Sequence, residues 1–363
     1  MKRVVCALVA VLLLMSAAGA EVSGNPLGLR ALELLTDGTE NAAVSPVSLA
    51  LALSMAREGA AGETLKELDE LLAGEPIDVK ALVRAGVRSA NAGFVSPDYA
   101  LLDDYMARVD AKWFEMGDDA MNQVNAWVED MTDGLIPHIL DNPPTDLTAL
   151  YLVNALAMDE EWRIPFWEDG GYEDAFFAPS GEKSVDYMYV EDDFFYKESG
   201  GAQIIRLNYK DSSLAMYVVL PEDGGVPAVL AALSEQGFSY FDGMDDAPKV
   251  HLSLPKFSIA EGGSLLDALK ALGMEISCSG DADFSRMCAE PLYIGDVIQK
   301  VRIDADEKGT KAAAATSIEM RAMALTPQFE EQPIEMKVER PFVAVIADVE
   351  TGAVAFAAVV AEP

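Results

Sequence analysis

The sequence predicts an α+β protein with a large core, and three observations lead to this prediction. Apolar residues recur at helical spacing before residue 150, whereas β-rich runs separated by turn residues dominate after it. Hydrophobic residues make up 51% of the 363 residues, which is enough to bury an extensive core. Several of the later runs are apolar throughout, which indicates a large central sheet covered on both faces. Helices that precede strands are typical of the α+β class.

Most of the helices are predicted in the first half of the chain. Ser45 and Pro46 suit the N-cap and the first position of one helix, because proline lacks the N–H that a first helical residue leaves unused. Gly74 and Gly134 suit helix ends. The predicted helices cover residues 28–35, 45–60, 62–74, 121–134 and 264–274.

The strands are predicted from apolar and alternating runs. The run 251–260 alternates most clearly, and the run 297–306 leads straight into the segment that follows it. A terminal hairpin turns at Glu350, Thr351 and Gly352. The predicted strands cover residues 147–158, 183–190, 202–209, 214–221, 251–260 and 297–306, and the hairpin covers 341–363.

The first twenty residues are predicted to be a signal peptide. Lys2 and Arg3 precede an apolar run that is too short to span a membrane, and Ala18-Gly19-Ala20 fits the small-residue rule for cleavage after Ala20. We therefore expect a secreted, extracellular protein, with the periplasm or the cell surface as alternatives. In such an oxidising compartment Cys278 and Cys288 have two equal alternatives, a disulfide or two free thiols.

The charge excludes two classes of partner. The formal charge is −35 at pH 7, and such a surface repels nucleic acids and anionic membranes. We therefore predict no nucleic-acid partner and no membrane partner.

An enzyme is not indicated. The chain has two histidines, His138 and His251, and neither stands in a metal-binding or nucleophile motif. Paired carboxylates carry no information in so acidic a chain. We predict no catalytic residues, no metal and no cofactor, and a secreted hydrolase stays only as a remote alternative.

One segment combines features of a loop and of a strand. In the run DEKGTKAAAATSIEM (306–320), alternate positions from Thr310 onward are small or apolar, while the charges lie on the other set. This alternation is typical of a strand with one buried face. Its glycine, threonines and four successive alanines would equally suit an exposed loop.

Blocks of sequence along almost the whole mature chain, taken in order, resemble the serpin family. Two of them, SANAGFV (89–95) and VNAWVEDMTDGLI (124–136), are interpreted as matches to helical segments of the family. The remaining blocks are NAAVSPVSLALALSMAREGAAGETLKEL (41–68), VNALAMDEEWRIPF (153–166), VLPEDGG (219–225), LPKFSI (254–259), ADFSRM (282–287), VIQKVRIDADEKGTKAAAATS (297–317) and ERPFVAVIADVETGAVAFAAVVAEP (339–363). The blocks are those of an inhibitory serpin of prokaryotic type.

The resemblance implies a fold and a mechanism. The fold is a single metastable serpin domain at 21–363, with helices packed around a large central β-sheet and an exposed reactive loop at about 307–338. A target serine protease cleaves the loop and forms an acyl-enzyme, after which the freed arm inserts into the sheet and the protease is trapped. The protein is then an irreversible protease inhibitor and not an enzyme.

The resemblance also assigns a hinge, whose residues suit insertion. Gly309 gives a permissive pivot, and Thr310 is small and uncharged, as a residue that enters the sheet first must be. Ala312 and Ala314 are small enough to pass between strands. The hinge consists of Glu307, Lys308, Gly309, Thr310, Ala312 and Ala314.

The family spacing from Glu307 places the reactive bond between Met323 and Ala324. Methionine before a small residue suits proteases of elastase, cathepsin G or subtilisin type. Arg321, which would suit trypsin-like proteases, and Leu325, which would suit chymotrypsin-like ones, remain alternatives because the following segment is longer than is usual in the family.

Two further groups of residues carry over from the family. Trp162, Lys256 and Glu307 match the region where the loop first enters the sheet, with a Lys256–Glu307 ion pair guarding the gap. A polar cluster that controls opening of the sheet consists of Ser45, Ser48, Asn154 and Gln299, where Gln299 replaces the usual histidine and so removes a response to pH.

The expected partner is a target serine protease, held in a covalent acyl-enzyme complex by a monomeric inhibitor. Residues 72–88 form a short segment with few basic residues, so we expect no heparin-binding helix. The first alternative is a non-inhibitory serpin, a binding or chaperone-like protein whose loop is cut without trapping the protease.

Overall fold

The computed structural model describes residues 26–72, 79–145, 147–222, 224–310 and 332–363. Several predictions fall outside the described residues and stay predictions. These are the signal peptide at 1–20, the hinge residues Ala312 and Ala314, and the candidate specificity residues Arg321, Met323, Ala324 and Leu325.

Eight α-helices lie in the described ranges. They are α1 (Pro26–Leu35), α2 (Pro46–Gly59), α3 (Gly62–Leu71), α4 (Val79–Arg84), α5 (Asp103–Arg108), α6 (Ala120–Met131), α7 (Val226–Gln236) and α8 (Leu266–Ala271), with a 3₁₀ helix at Gly237–Phe241. The sequence predicted α1, α2, α3, α6 and α8 and missed the others. Among the described residues no helix is long and apolar enough to cross a membrane.

The strands are more numerous than predicted. They are β1 (Ala42–Val44), β2 (Arg88–Val95), β3 (Lys112–Glu115), β4 (Leu150–Ala157), β5 (Glu160–Glu161), β6 (Tyr172–Ala178), β7 (Gly181–Asp193), β8 (Phe195–Ser199), β9 (Ala202–Asn208), β10 (Leu214–Pro221), β11 (Lys249–Pro255), β12 (Phe257–Ser264), β13 (Ile298–Ala305), β14 (Gly309–Thr310), β15 (Ile334–Lys337), β16 (Phe342–Asp348) and β17 (Val354–Val360). They form sheets in the orders β1-β17-β16-β10-β9-β8, β15-β11-β7-β6, β12-β13-β14-β5 and β3-β2-β4.

Two sequence predictions are wrong in this region. The predicted strand 251–260 is divided at Lys256, because β11 pairs with β7 and β15 whereas β12 pairs with β13 in another sheet. Alternation of apolar residues does not reveal such a change of partner. The block 89–95 is not helical but lies in β2, between β3 and β4. A side chain at Gly93 would overlap the Trp113 ring at 2.2 Å, so tight packing between strands requires this glycine.

The predicted terminal hairpin is confirmed, and its strands lie inside the six-stranded sheet, between β1 and β10. Every residue of β16 and β17 is buried. Helices α1 and α7 cover one face of this sheet, and the other face belongs to the main core cluster. The turn closes with the N–H of Gly352 on the carbonyl of Asp348 at 2.8 Å.

The predicted central sheet is present in two hydrogen-bonded parts joined by the chain. Two residues separate the end of β4 from the start of β5. This short stretch of chain connects the part β3-β2-β4 to the part β12-β13-β14-β5. Among the described strands, β4 pairs only with β2, while β13 pairs with β12 and, at Ala305, with β14. Strand β14 therefore lies between β13 and β5, beyond the end of β4.

The two cysteines carry free thiols, so the alternative without a disulfide is the one that the structure shows. Cys288 is buried, and Cys278 is half-buried. Burial raises the pKa of the Cys278 thiol to about 11, which keeps this thiol protonated and unreactive at neutral pH.

A half-buried carboxylate holds α3 against the segment after α8. The carboxylate of Glu67 accepts the N–H groups of Glu275 at 2.9 Å, Ile276 at 2.6 Å and Ser277 at 2.8 Å. Burial alone would raise the pKa of Glu67, but the hydrogen bonds from Ser277, Ile276 and Glu275 outweigh it and lower this pKa. Ionised Glu67 therefore stabilises the fold.

Substituting Glu67→Gln is expected to lower the free energy of unfolding by about 2 kcal/mol at neutral pH. A glutamine amide keeps only one oxygen, so the N–H groups of Glu275 and Ile276, which share the other oxygen, lose their acceptor. A lowered pKa gives stability that is present above the unfolded-state pKa and lost as the pH falls through the folded-state value. Urea unfolding at several pH values between neutral and about pH 3 should show the two proteins converging in acid. A constant difference across this range would contradict the role given to the charge.

Candidate functional site

The first part of the hinge is a tight turn after β13. The Asp306 carboxylate accepts the N–H groups of Lys308 at 2.8 Å and Gly309 at 3.2 Å, and the Asp306 N–H donates to the Gly309 carbonyl at 3.1 Å. The chain thus reverses direction, and β14 runs antiparallel to β13. Strand β13 leads directly into the hinge, as predicted. The reversal at Asp306 was not predicted; it forms because a carboxylate that accepts neighbouring N–H groups favours a turn.

Gly309 and Thr310 already lie in the central sheet as β14. Thr310 pairs with Ala305 of β13 and with Glu160 of β5, and Gly309 pairs with Glu161. A Cβ atom at Gly309 would lie 2.2 Å from the Glu160 carbonyl oxygen. Gly309 has no positive φ, so close approach of the backbone, rather than conformational freedom, requires glycine in this position.

Thr310 is 4% exposed, and its hydroxyl lies 2.6 Å from the hydroxyl of Tyr209. Burial raises the pKa of Tyr209, so both groups are neutral and satisfy each other. The prediction that Thr310 must be small and uncharged agrees with this environment. Tyr209 was missed, because nothing in its local sequence marks it as a partner of a residue so distant in the chain.

The structure brings Trp162, Lys256 and Glu307 together around the turn. The Trp162 backbone N–H donates to the Lys308 carbonyl and its indole N–H to the Asp306 carbonyl, both at 2.8 Å. Its ring stacks on Tyr209 with 4.7 Å between centroids. Trp162 therefore fixes the start of the hinge through both its backbone and its side chain.

The Lys256–Glu307 ion pair is present, with 2.7 Å between Nζ and Oε1. The hydrogen bond that Lys256 donates to the Glu307 carboxylate raises the pKa of Lys256. The side chains are 41% and 21% exposed, so the pair contributes less than about 1 kcal/mol. The backbone of Glu307 is held independently, because its carbonyl accepts the Phe166 N–H at 3.0 Å.

The predicted polar cluster is also assembled, with Gln299 at its centre. Gln299 accepts the Ser45 N–H at 2.8 Å and donates to the Ser45 carbonyl at 3.0 Å. The Ser45 hydroxyl donates to the Ala355 carbonyl at 2.7 Å and accepts the Ser48 N–H at 3.2 Å, which caps α2. Ser45, Ser48 and Gln299 thus join β13, α2 and β17 in the core.

Asn154 belongs to this cluster only through its backbone. Its carbonyl accepts the Ser48 hydroxyl at 3.5 Å, whereas its amide nitrogen donates to Asn91 at 2.9 Å and to Ser89 at 3.2 Å. Its amide oxygen is buried with no hydrogen-bond partner among the described residues. The cluster is therefore linked to β4 by one long hydrogen bond.

Substituting Gln299→Leu is expected to lower the free energy of unfolding by about 2–4 kcal/mol, because the buried N–H and carbonyl of Ser45 both lose a partner. Glutamate can accept the N–H but cannot donate to the carbonyl, so Gln299→Glu separates the two bonds. Urea unfolding of the three proteins measures the effect. Equal stability of Gln299→Leu and the parent would refute the importance of this pair.

Comparison with known proteins identifies relatives that match most of the chain. A family model described as serpin (serine protease inhibitor) matches residues 25–363. An uncharacterized serpin-like protein of Thermococcus kodakarensis is 31% identical over 89% of this chain and 80% of its own length. Plasminogen activator inhibitor 1 of Neovison vison is 30% identical over 89% of this chain and 87% of its own.

Solved structures agree with the fold. Native tengpin, a thermophilic serpin, superposes with a TM-score of 0.82 at 26% identity, covering 94% of both chains. Human thyroxine-binding globulin complexed with its hormone superposes with a TM-score of 0.79 at 21% identity, covering 93% of this chain and 98% of the globulin. The second similarity is one of fold alone.

Proposed function

Because the chain belongs to the serpin family, we propose that it irreversibly inhibits a serine protease of elastase or subtilisin type by cleavage and insertion of its reactive loop. The inhibitor is an exported monomer, and its product is a covalent acyl-enzyme complex. The family as a whole is described as serine protease inhibitors, and a 30% identical relative is named for inhibition of plasminogen activator.

The observation that carries the proposal is the position of β14. Thr310 pairs on both sides, with Ala305 of β13 and Glu160 of β5, and Gly309 pairs with Glu161 of β5. A strand that continued from Thr310 between β13 and β4 would extend both pairings. Insertion would thus extend a pairing that the first two residues have already begun.

The hinge sequence favours an inhibitor over the non-inhibitory alternative. A serpin whose loop never inserts need not keep the alternation of small or apolar residues that runs from Thr310, and this chain keeps it. Similarity to thyroxine-binding globulin leaves the alternative open at the level of fold. Its test is whether loop cleavage leads to a trapped protease.

A hydrolase has little support. Within the described ranges His251 contacts Glu191 and Glu335, and His138 contacts Asp141. Neither histidine is hydrogen-bonded there to a serine or cysteine that it would activate.

The proposal is tested by mixing the mature protein separately with elastase, subtilisin, trypsin and chymotrypsin. We expect a complex stable on denaturing gels with elastase or subtilisin, and a released C-terminal peptide whose mass starts at Ala324. A peptide that starts at Ala322 would place the cleaved bond after Arg321. A peptide that starts at Thr326 would place it after Leu325. Loop cleavage without a complex for every protease would instead identify a non-inhibitory serpin.

Substituting Met323→Arg is expected to shift the rate constant of complex formation towards trypsin by at least about a hundredfold relative to elastase, because the specificity pocket of trypsin binds a cation. Leu325→Arg is the matched control, since it adds the same charge outside the proposed specificity position. A larger shift with Leu325→Arg would contradict the assignment.

A further inference from the structure

A pocket of about 360 Å³ lies beside the residues that hold the hinge. One wall is the chain that follows β5, at residues 162–166, and another is the corner between β7 and β8, at residues 192–195. Strand β8 joins the edge of β9 where Phe195 pairs with Arg206, and the chain after β5 joins it at Asn208, whose carbonyl accepts an N–H of that chain at 2.9 Å. We call the space between these two attachments the β9-edge pocket.

The wall of this pocket is mainly apolar. Phe166, Phe194 and Leu207 are buried, and Ile164 and Phe195 are half-buried. Sites for small molecules commonly have volumes of about 300–1,000 Å³ and an apolar lining with a few polar groups that orient the ligand. The β9-edge pocket is at the lower end of this range, so it suits a ligand with one aromatic or branched aliphatic group.

Two arginines supply positive charge to the pocket. The Arg206 guanidinium lies 3.7 Å from the centroid of the Phe195 ring, in a cation–π contact that holds it at the wall. Arg163 also lines the pocket and is exposed. In the part of the chain that the structure describes, neither arginine forms an ion pair with a carboxylate. A ligand carboxylate would therefore meet guanidinium groups that no protein carboxylate occupies.

Asp192 supplies negative charge to the same pocket. It pairs across the sheet with the fully buried Val250, so its half-buried side chain lies on the covered face of that sheet. Its carboxylate accepts the Asp193 N–H at 2.8 Å, and it forms no ion pair within the described ranges. The pocket thus brings together charges of both signs that do not pair with each other.

We propose that the β9-edge pocket binds a zwitterion with an apolar body, which is an apolar α-amino acid or a dipeptide. The ligand carboxylate accepts N–H groups from Arg163 and Arg206, and the ligand ammonium donates to the Asp192 carboxylate. The apolar group packs on the aromatic wall. A ligand with one charge would leave the opposite charge of the pocket unpaired in half-buried surroundings, which is costly.

Binding in this pocket also acts on the hinge, because two residues of its wall hold the turn after β13. Trp162 donates its indole N–H to the Asp306 carbonyl at 2.8 Å, and the Phe166 N–H donates to the Glu307 carbonyl at 3.0 Å. A ligand that packs on this wall stabilises the form in which these bonds are made. The turn should then open less often.

Isothermal titration calorimetry of the mature protein with phenylalanine tests the site. N-acetylphenylalanine lacks the ammonium and phenylalaninamide lacks the carboxylate, so each should bind at least about tenfold more weakly. The dipeptide phenylalanylalanine separates the two sources of the ligand. Tighter binding of the dipeptide would identify peptides as the ligand, and tighter binding of phenylalanine would identify free amino acids.

Arg163→Gln and Asp192→Asn should each weaken the binding of phenylalanine about tenfold, because each removes one of the two charges that the zwitterion needs. Asparagine keeps an oxygen that can accept the Asp193 N–H, so the corner should stay folded. Arg30→Gln and Asp98→Asn are the matched controls, since they make the same changes at exposed positions outside the pocket. They should change the affinity less than about twofold.

Hydrogen exchange of the Lys308 and Gly309 amides, which donate to the Asp306 carboxylate, measures opening of the turn. We expect exchange to slow about fivefold at saturating phenylalanine. No binding by the parent, or equal binding of phenylalanine and its two analogues, would overturn the proposed site. Binding that leaves the exchange of these amides unchanged would overturn its link with the hinge. Neither measurement involves a protease, so the result does not depend on the inhibitory mechanism.

Discussion

Replacing Thr310 by arginine is expected to turn the protein from an inhibitor into a substrate of its target protease. Thr310 is 4% exposed, and its hydroxyl is satisfied by that of Tyr209. An arginine there would lose this hydroxyl partner and bury a charge in a site fitted to a small neutral side chain, which costs several kcal/mol in order-of-magnitude terms.

The cost matters because, in the proposed mechanism, two reactions compete after the loop is cut. Insertion has to translocate the protease before the acyl-enzyme is hydrolysed. If the substitution raises the barrier to insertion by about 3 kcal/mol, insertion slows about a hundredfold, and hydrolysis wins. Denaturing gels should then show cleaved chain and active protease in place of the complex.

The control variant is Thr310→Val, which keeps the size and removes only the hydroxyl. It should retain most of the covalent complex, although it leaves the Tyr209 hydroxyl without its partner at a cost of about 1–3 kcal/mol. Thermal unfolding of both uncleaved variants shows whether they fold. Full inhibition by a folded Thr310→Arg variant would refute the proposed route of insertion.

Substituting Trp162→Ala is expected to destabilise the protein by about 3–5 kcal/mol. Trp162 is 2% exposed, stacks on Tyr209 at 4.7 Å and donates its indole N–H to the Asp306 carbonyl. The substitution leaves a cavity beside the hinge and a carbonyl without its donor. Circular dichroism in urea should show a lower midpoint and faster unfolding, and the rate matters because unfolding of such proteins need not be reversible.

Trp162→Phe separates the two contributions. It keeps an aromatic ring against Tyr209 but cannot donate a hydrogen bond, so a smaller loss, about 1–2 kcal/mol, is expected from the bond and the reduced volume. Equal losses for Trp162→Ala and Trp162→Phe would mean that the indole N–H, rather than the packing of the ring, supports the turn.

Local sequence correctly predicted the elements whose signals lie within their own residues. The cap at Ser45 and Pro46 marks α2, and the apolar run 341–363 marks the terminal hairpin, because each signal lies within the element that it describes. Prediction was wrong at 89–95, where pairing on both sides of β2 overrides a run with little strand propensity. It was also wrong at Lys256, because the single alternating run 251–260 contains parts of β11 and β12, which lie in different sheets.

The residues of the candidate site also divide into those that the sequence identified and those that it missed. Thr310 could be recognised as a position for a small neutral residue, and the Gln299 cluster came from the family resemblance. Partners from distant parts of the chain could not be predicted, since no local signal connects Tyr209 with Thr310 or the Phe166 N–H with the Glu307 carbonyl. The turn at Asp306 was missed because the alternation that indicated a strand begins only at Thr310.

The central place of the terminal hairpin has a consequence for the synthesis of the protein. Strand β1, near the start of the chain, pairs with β17, near its end, and β16 separates β17 from β10 in the same sheet. The six-stranded sheet cannot close until the last residues have left the ribosome, and contacts of such sequence separation form slowly. Under the proposed export the chain must stay unfolded until it has crossed the secretion pore, and a fold completed by its final strands would provide this delay without a separate device. A ribosome that stops before β17 releases a chain in which β1 lacks its pairing strand, so shortened products should be degraded rather than act as the proposed inhibitor.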